Sequence, residues 1–170
     1  MNAIAFVVLI ALAADFFLHL LADGLNLKHL SHRLPKGFES IFDAQRYRQS
    51  QRYLKAHTQF GWIASAFQLI ALLAFWFAHG FPWLDRWVRS FGLGPILSGL
   101  LFIGVLLVFK AALSLPFSIY KTFGIEARFG FNKTTPTTYI LDLLKGFLLA
   151  ILLGVPLLAG ILAFFEYAGP

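Results

Sequence analysis

The sequence contains no cysteine and few charged residues. The absence of cysteine excludes disulfides and thiolate metal sites. Only 13% of the residues are charged and 59% are hydrophobic, which is too little polar surface to cover a soluble domain. The net charge of +6 does not indicate nucleic-acid binding, because in a membrane protein the loops that carry the charge matter more than its sign. The composition therefore predicts a helical bundle in a lipid bilayer, with no nucleic-acid partner.

The sequence also lacks the short motifs that mark common catalytic centres. It has no His-Glu-x-x-His, no Gly-x-Ser-x-Gly, no P-loop and no Gly-x-Gly-x-x-Gly. We therefore predict no catalytic residues, no metal ligands and no bound cofactor in this chain. The first apolar segment has no basic stretch before it and is interrupted by Asp15 and His19, so we interpret it as a retained span and not as a cleaved signal peptide.

Four segments are long and apolar enough to cross about 30 Å of hydrocarbon as helices. None shows the alternating polarity of a barrel strand, and helices satisfy their backbone polar groups internally. We predict an all-α polytopic membrane protein in which residues 1–170 form a single transmembrane domain. The four predicted spans are approximately 3–25, 59–81, 94–115 and 139–165.

The charges of the connecting loops predict the orientation of the spans. Residues 26–58 include seven basic and two acidic residues, and residues 116–138 include three basic residues and one acidic residue. The positive-inside rule then makes the first and third loops cytoplasmic and puts both chain ends outside. With no amino-terminal targeting sequence, this asymmetry favours a bacterial inner membrane.

Two loops have features of the membrane interface. From residue 40 to 58, polar and apolar residues recur at helical spacing with several arginines among them, which predicts an amphipathic helix along the cytoplasmic surface that leads into the second span. The second loop, 79–95, is rich in tryptophan, phenylalanine, proline and glycine, a composition typical of an anchor in the headgroup belt.

Ionisable residues within a span are costly and need a function or a partner. Asp15, His19 and Asp23 are spaced by four and share one face of the first helix. We interpret them as a hydrated stripe that faces neighbouring helices. The functional alternative is a proton relay or a cavity lining. The hypothesis that the protein is a small transporter is supported by this stripe alone. The stripe extends about 12 Å, too far for one metal ion to bind all three side chains. Lys110 in the third span either snorkels to the interface or pairs with this stripe.

The chemically densest stretch is 115–133, LPFSIYKTFGIEARFGFNK. It closely resembles the segment before the fourth span of membrane zinc metalloproteases of the CAAX prenyl endopeptidase type. The first loop, with LPKGF and FDAQRYRQSQRYL, and the closing EYAGP are also similar to that family, so the resemblance covers nearly the whole chain. It is specific in the third loop, where the family pattern falls on Leu115, Pro116, Phe123, Glu126, Arg128, Phe129, Gly130, Phe131, Asn132 and Lys133.

The resemblance implies the amino-terminal membrane domain of such a protease. In the family, the zinc-binding His-Glu-x-x-His helix and a distal Glu ligand lie well downstream. Zinc, a carboxy-terminal catalytic domain and a peptide substrate are therefore expected in the full-length protein, and this chain is expected to be inactive alone. Its implied role is to form part of the wall of an intramembrane chamber and to dock the catalytic domain. A non-catalytic membrane scaffold or partner-binding subunit is the alternative.

The motif also has a physical interpretation of its own. In an extended loop, Glu126 and Arg128 point to the same side, and Arg128 is suited to bidentate binding of a carboxylate. Gly130 is expected to relieve crowding between the flanking rings, and Asn132 to cap the turn that leads to the next helix. The loop either locks the last two helices against the catalytic domain or contacts substrate directly.

Overall fold

The computed structural model describes residues 3–30 and 43–168, and these residues form helices without any strand. Four of the five helices are long and apolar enough to cross a membrane, which confirms the predicted all-α polytopic fold. The short α3 connects the second and third of these spans. The helices are α1 (Ala3–Lys28), α2 (Ala44–Phe77), α3 (Gly80–Arg89), α4 (Pro95–Glu126) and α5 (Pro136–Ala168).

Helix α2 joins the polar part of the first loop to the second span without a break. The Asp43 carboxylate accepts a hydrogen bond of 2.8 Å from the Gln45 backbone N–H and so caps the helix. The sequence predicted an amphipathic helix followed by a span, and its first residues, 40–42, lie outside the described residues. The structure has a single helix of 34 residues. At 1.5 Å per residue this is about 50 Å, so the polar end extends beyond the hydrocarbon.

Helix α4 is longer than the sequence predicted. Residue 115 was the expected end, but the helix passes through Pro116 and winds as a π-helix over Tyr120–Glu126. Proline has no backbone N–H, so the regular hydrogen-bond ladder is interrupted at this point of the helix. The wider π turns follow immediately, and they place the family motif at a helix end.

Helix α5 begins with a cap of its own. The Thr135 hydroxyl accepts a hydrogen bond of 3.1 Å from the Thr138 backbone N–H, and Pro136 occupies the first turn, where its missing N–H costs nothing. Asn132, which was expected to cap the turn before this helix, lies three residues before the N-cap, and its role stays a prediction. A second π-helical segment, Ala150–Gly154, precedes Pro156 within the same helix.

The chain divides into two compact units. Unit 1 contains Met1–Leu72 and Pro116–Asn132, and unit 2 contains Leu73–Leu115 and Lys133–Pro170. Few apolar side chains are buried in either: of the described residues, Leu84, Val88 and Ile125 form the buried hydrophobic set. Such wide apolar exposure fits a chain whose solvent is lipid.

Candidate functional site

The end of α4 is a glycine-terminated helix cap in unit 1. Gly130 has a φ of 75°, in the left-handed region that a side chain disfavours. Its N–H donates to the Ala127 carbonyl at 3.1 Å, and the Phe131 N–H donates to the Glu126 carbonyl at 2.9 Å. This pair of bonds is the Schellman motif. Gly130 is therefore required for its backbone conformation. A β-carbon there would meet no atom within 4 Å outside the two neighbouring residues, and the expected relief of crowding between the Phe129 and Phe131 rings stays a prediction.

Two residues of α2 hold this helix end in place. The Tyr53 ring lies 4.7 Å from the Phe131 ring and 5.7 Å from the Phe129 ring, measured between centroids. The Gln49 side-chain amide donates a 2.7 Å hydrogen bond to the Phe129 backbone carbonyl. We call these four residues the clasp. It fixes the motif segment to the polar half of α2, with both ring packing and a directional hydrogen bond.

Ionisable side chains lie beside the clasp. The His57 ring is 5.6 Å from that of Tyr53. The Glu126 carboxylate acts electrostatically on both Tyr53 and His57, and the Lys121 ammonium acts on His57. His57, Lys121 and Glu126 are all half-buried. The α2 side of the site therefore meets charges of both signs from the π-helical end of α4.

Glu126 and Arg128 do not share a side as they would in an extended loop. The backbone is helical through Arg128, so residues two apart diverge by about 200°. Glu126 is half-buried and Arg128 is exposed. Among the described residues they form no ion pair with each other. Of the remaining motif residues, Phe129 and Asn132 are half-buried, and Gly130, Phe131 and Lys133 are exposed.

The polar stripe of α1 is split between two environments. Asp23 is half-buried, and its carboxylate accepts a 3.1 Å hydrogen bond from the Trp62 indole N–H of α2. Asp15 and His19 have side chains that are 73% and 77% exposed, and they contact each other at 3.4 Å. Asp23 thus joins α1 to α2, whereas Asp15 and His19 lie on an open flank of α1.

Other charged span residues lie in unit 2. Lys110 is exposed on α4, and its pairing with the α1 stripe stays a prediction. Asp142 and Lys145 of α5, which the sequence reasoning did not single out, are exposed as well. The sequence reasoning also missed three α2 residues beside the motif: Gln49, Tyr53 and His57. Their spacing by four was the signal that would have grouped them on one helix face.

The described residues do not offer a metal site. In 3–30 and 43–168, no group of three or more His, Cys, Asp or Glu side chains comes close enough to hold an ion. Structural zinc has four protein ligands and catalytic zinc usually three. These residues therefore do not fit a zinc ion, and no chemical step is assigned to one here.

The four candidate spans and the clasp define a helical membrane protein, and the part of the chain that the structure describes contains no set of metal ligands. Residues 25–170 match the family described as CAAX prenyl protease N-terminal, five membrane helices. The chain therefore belongs to the CAAX prenyl protease family, as its N-terminal membrane region. Most of α1 precedes the matched residues.

Individual relatives agree with this assignment. A CAAX prenyl protease 1 homolog of Oryza sativa subsp. japonica is 32% identical over 146 residues, which cover 81% of this chain and 34% of the relative. The CAAX prenyl protease 1 of Saccharomyces cerevisiae is 29% identical over 144 residues, 79% of this chain and 32% of the relative. The crystal structure of S. mikatae Ste24p is similar with a TM-score of 0.83 and 26% identity, covering 92% of this chain and 38% of that one. The chain spans about a third of the length of these curated relatives.

Proposed function

We propose that this region docks the catalytic part of a zinc metalloendopeptidase that acts on prenylated CAAX-type peptides, and that it forms part of the wall of the chamber through which such a peptide reaches the zinc. The clasp is the observation that carries the proposal. It positions the family motif with Glu126 turned toward α2 and Arg128 exposed. Glu126 acts within the region, and Arg128 is available to a carboxylate of the docked part, which its planar guanidinium binds bidentately.

The open flank of α1 supports the role as a chamber wall. Asp15 lies near the middle of a candidate span, where a charged side chain in contact with lipid costs about 3 kcal/mol. The flank with Asp15 and His19 therefore faces water or another protein segment. The opposite flank carries Phe17 and Leu21, whose side chains are 64% and 62% exposed, and is suited to lipid.

The orientation follows from the same assignment. Basic residues are concentrated around the start of α2 and the end of α4, and the positive-inside rule supports a clasp on the cytoplasmic side, with both chain ends outside. A bacterial inner membrane is the proposed location. The zinc and its ligands are proposed for the part of the full-length protein that the relatives have beyond this region.

The test of docking compares variants of the full-length protein. Arg128→Ala and Glu126→Ala are expected to lower peptide cleavage at least tenfold while zinc content is kept. Arg128→Lys is expected to recover only part of the activity, because an ammonium lacks the planar fork. Lys55→Ala is the control, since this exposed residue lies on the face of α2 opposite Tyr53. Full activity of folded Arg128→Ala and Glu126→Ala proteins would contradict a role for the motif.

Two further measurements test the assignment. A His-Glu-x-x-His sequence within roughly 150 codons after residue 170 would support the protease, and a stop codon there would support a non-catalytic scaffold. For the chamber wall, cysteines replacing Asp15 or His19 are expected to react with a hydrophilic maleimide in vesicles, and a cysteine replacing Phe17 is not. Equal protection of all three positions would contradict a water-lined flank.

A further inference from the structure

Helix α3 is fixed in unit 2 by one of its faces. Leu84 and Val88 are 3% and 1% exposed and form the buried core of this unit. At the start of the helix, Gly80 is so close to Phe75 that a β-carbon would lie 2.5 Å from the ring. The Phe81 ring contacts that of Phe75 edge to face at 4.9 Å. The helix cannot rotate without breaking these contacts, so its exposed side has a fixed direction.

The exposed side presents large aromatic side chains next to the buried face. Trp83 and Trp87, four residues apart, are 59% and 43% exposed. Phe91, just after the helix, is 53% exposed, and its ring packs edge to face against Trp87 at 5.0 Å. We call Trp83, Arg86, Trp87 and Phe91 the outward face. Tryptophan is enriched where its apolar ring meets acyl chains and its indole N–H meets headgroups.

The charge of α3 is concentrated in one residue. The Arg89 Nε donates to both carboxylate oxygens of Asp85 at 2.9 Å, and these hydrogen bonds hold the pKa of Arg89 above its usual value. Arg86 donates its Nε to the Pro82 carbonyl at 3.2 Å. It has no ion-pair partner in the described parts of the chain. The net positive charge of the helix is therefore that of Arg86, beside Trp83 and Trp87 on the helix surface.

The position of α3 in the chain indicates what covers this face. The helix begins almost directly after α2 ends at Phe77 and is followed closely by α4 at Pro95, and both are candidate spans. A short helix between two span ends lies at the boundary of the bilayer. We propose that α3 is an interfacial anchor whose outward face inserts among phospholipid headgroups, with the Arg86 guanidinium binding a lipid phosphate.

The depth of α3 is measured with a label on a single cysteine. This chain has no cysteine, so Trp83→Cys introduces a single labelling site in it. Any cysteine elsewhere in the full protein is replaced by serine, and the Trp83→Cys thiol is labelled with bimane. In phosphatidylcholine vesicles, lipids with a nitroxide near the headgroup are expected to quench it more than lipids labelled deep in the chain. The matched control is Leu107→Cys, 56% exposed on α4, where the deep label is expected to quench more. Arg86→Cys is a second interfacial probe if Trp83→Cys does not fold.

The phosphate contact is tested by lipid preference at the same probe. One arginine near an anionic surface is worth about 1 kcal/mol, or about a fivefold enrichment of phosphatidylglycerol over phosphatidylcholine next to the label. Arg86→Gln is expected to reduce this enrichment to about one. The double variant Asp85→Asn, Arg89→Gln removes an ion pair without changing the net charge, and it is expected to keep the enrichment.

Three results would overturn the proposal. Quenching of the Trp83 probe by aqueous iodide alone would place α3 in water, and strongest quenching by the deep label would place it in hydrocarbon. Shielding from iodide and from both lipid labels would show that protein covers the face. If Arg86→Gln keeps the wild-type enrichment, Arg86 does not bind lipid phosphate.

Discussion

Gln49 and Phe129 are 80 residues apart in sequence and are joined by a hydrogen bond of 2.7 Å between the Gln49 amide and the Phe129 carbonyl. The acceptor belongs to the turn that ends α4, where the backbone has left the helix. The bond therefore positions the turn itself, and through it the residues on either side. Together with the Tyr53 ring contacts, this hydrogen bond holds the end of α4 in a fixed position against α2.

Removal of the Tyr53 ring should release the motif segment. Tyr53→Ala loses two ring contacts worth about 1 kcal/mol each, whereas Tyr53→Phe keeps them. Tryptic cleavage after the exposed Arg128 in detergent micelles should therefore be faster for Tyr53→Ala than for Tyr53→Phe or wild type. Gln49→Ala should show a smaller increase, from a hydrogen bond worth about 1 kcal/mol. Equal cleavage rates for all four proteins would show that the clasp does not restrain the segment.

Gly130 should tolerate asparagine better than alanine. Its φ of 75° costs an ordinary residue about 1–2 kcal/mol, and asparagine visits this region more readily than alanine does. Unfolding by titration with SDS should show Gly130→Ala destabilised by that amount and Gly130→Asn by less. The control is Gly146→Ala within α5, where no atom lies within 4 Å and alanine favours the helix. Loss of stability in Gly146→Ala and not in Gly130→Ala would contradict this assignment.

Gly99 permits close packing of α4 against α5 in unit 2. A β-carbon there would lie 2.9 Å from a methyl group of Leu162. Gly99→Ala should cost little because the end of the leucine can move, but Gly99→Leu should lower the free energy of unfolding by about 1–3 kcal/mol. Leu162→Ala should recover part of that loss in the double variant, which a double-mutant cycle measures. Gly104→Leu, with open space at that position, serves as the matched control.

The hydrogen bond from Trp62 to Asp23 should stabilise the pairing of α1 with α2. Trp62→Phe leaves the half-buried carboxylate without its donor and should lower the free energy of unfolding by about 1–3 kcal/mol. Asp23→Asn keeps a carbonyl acceptor, so its loss should be smaller. Phe67→Leu, which replaces an aromatic ring by an aliphatic side chain away from this bond, provides the comparison for altered packing on α2. A larger loss for Asp23→Asn than for Trp62→Phe would mean that charge, and not the hydrogen bond, matters at this position.

The sequence singled out the family motif but did not predict its local structure. It treated 115–133 as a loop after Pro116, because proline usually ends a helix. The π-helical turns after this proline carry the chain on to Glu126, and no periodicity in the sequence marks them. The sequence reasoning gave Gly130 a steric role and did not interpret it as a cap, although a glycine after a helix is a known signal of a C-terminal cap. Thr135, the N-cap of α5, was not singled out, because the sequence placed the start of this span at about residue 139.

Composition and charge by themselves determined the class of this protein: four apolar segments of spanning length leave only helices as a solution in lipid, and the third-loop motif identified the family. Tertiary structure alone decided which residues meet. In the sequence, Gln49 and Tyr53 are ordinary residues of a basic helix. They belong to the clasp only because the end of α4 lies beside them. Likewise, Asp15, His19 and Asp23 form one stripe in sequence, but packing against Trp62 separates Asp23 from the other two. Spacing along one helix fixes a shared face, and only the neighbouring helix determines what that face contacts.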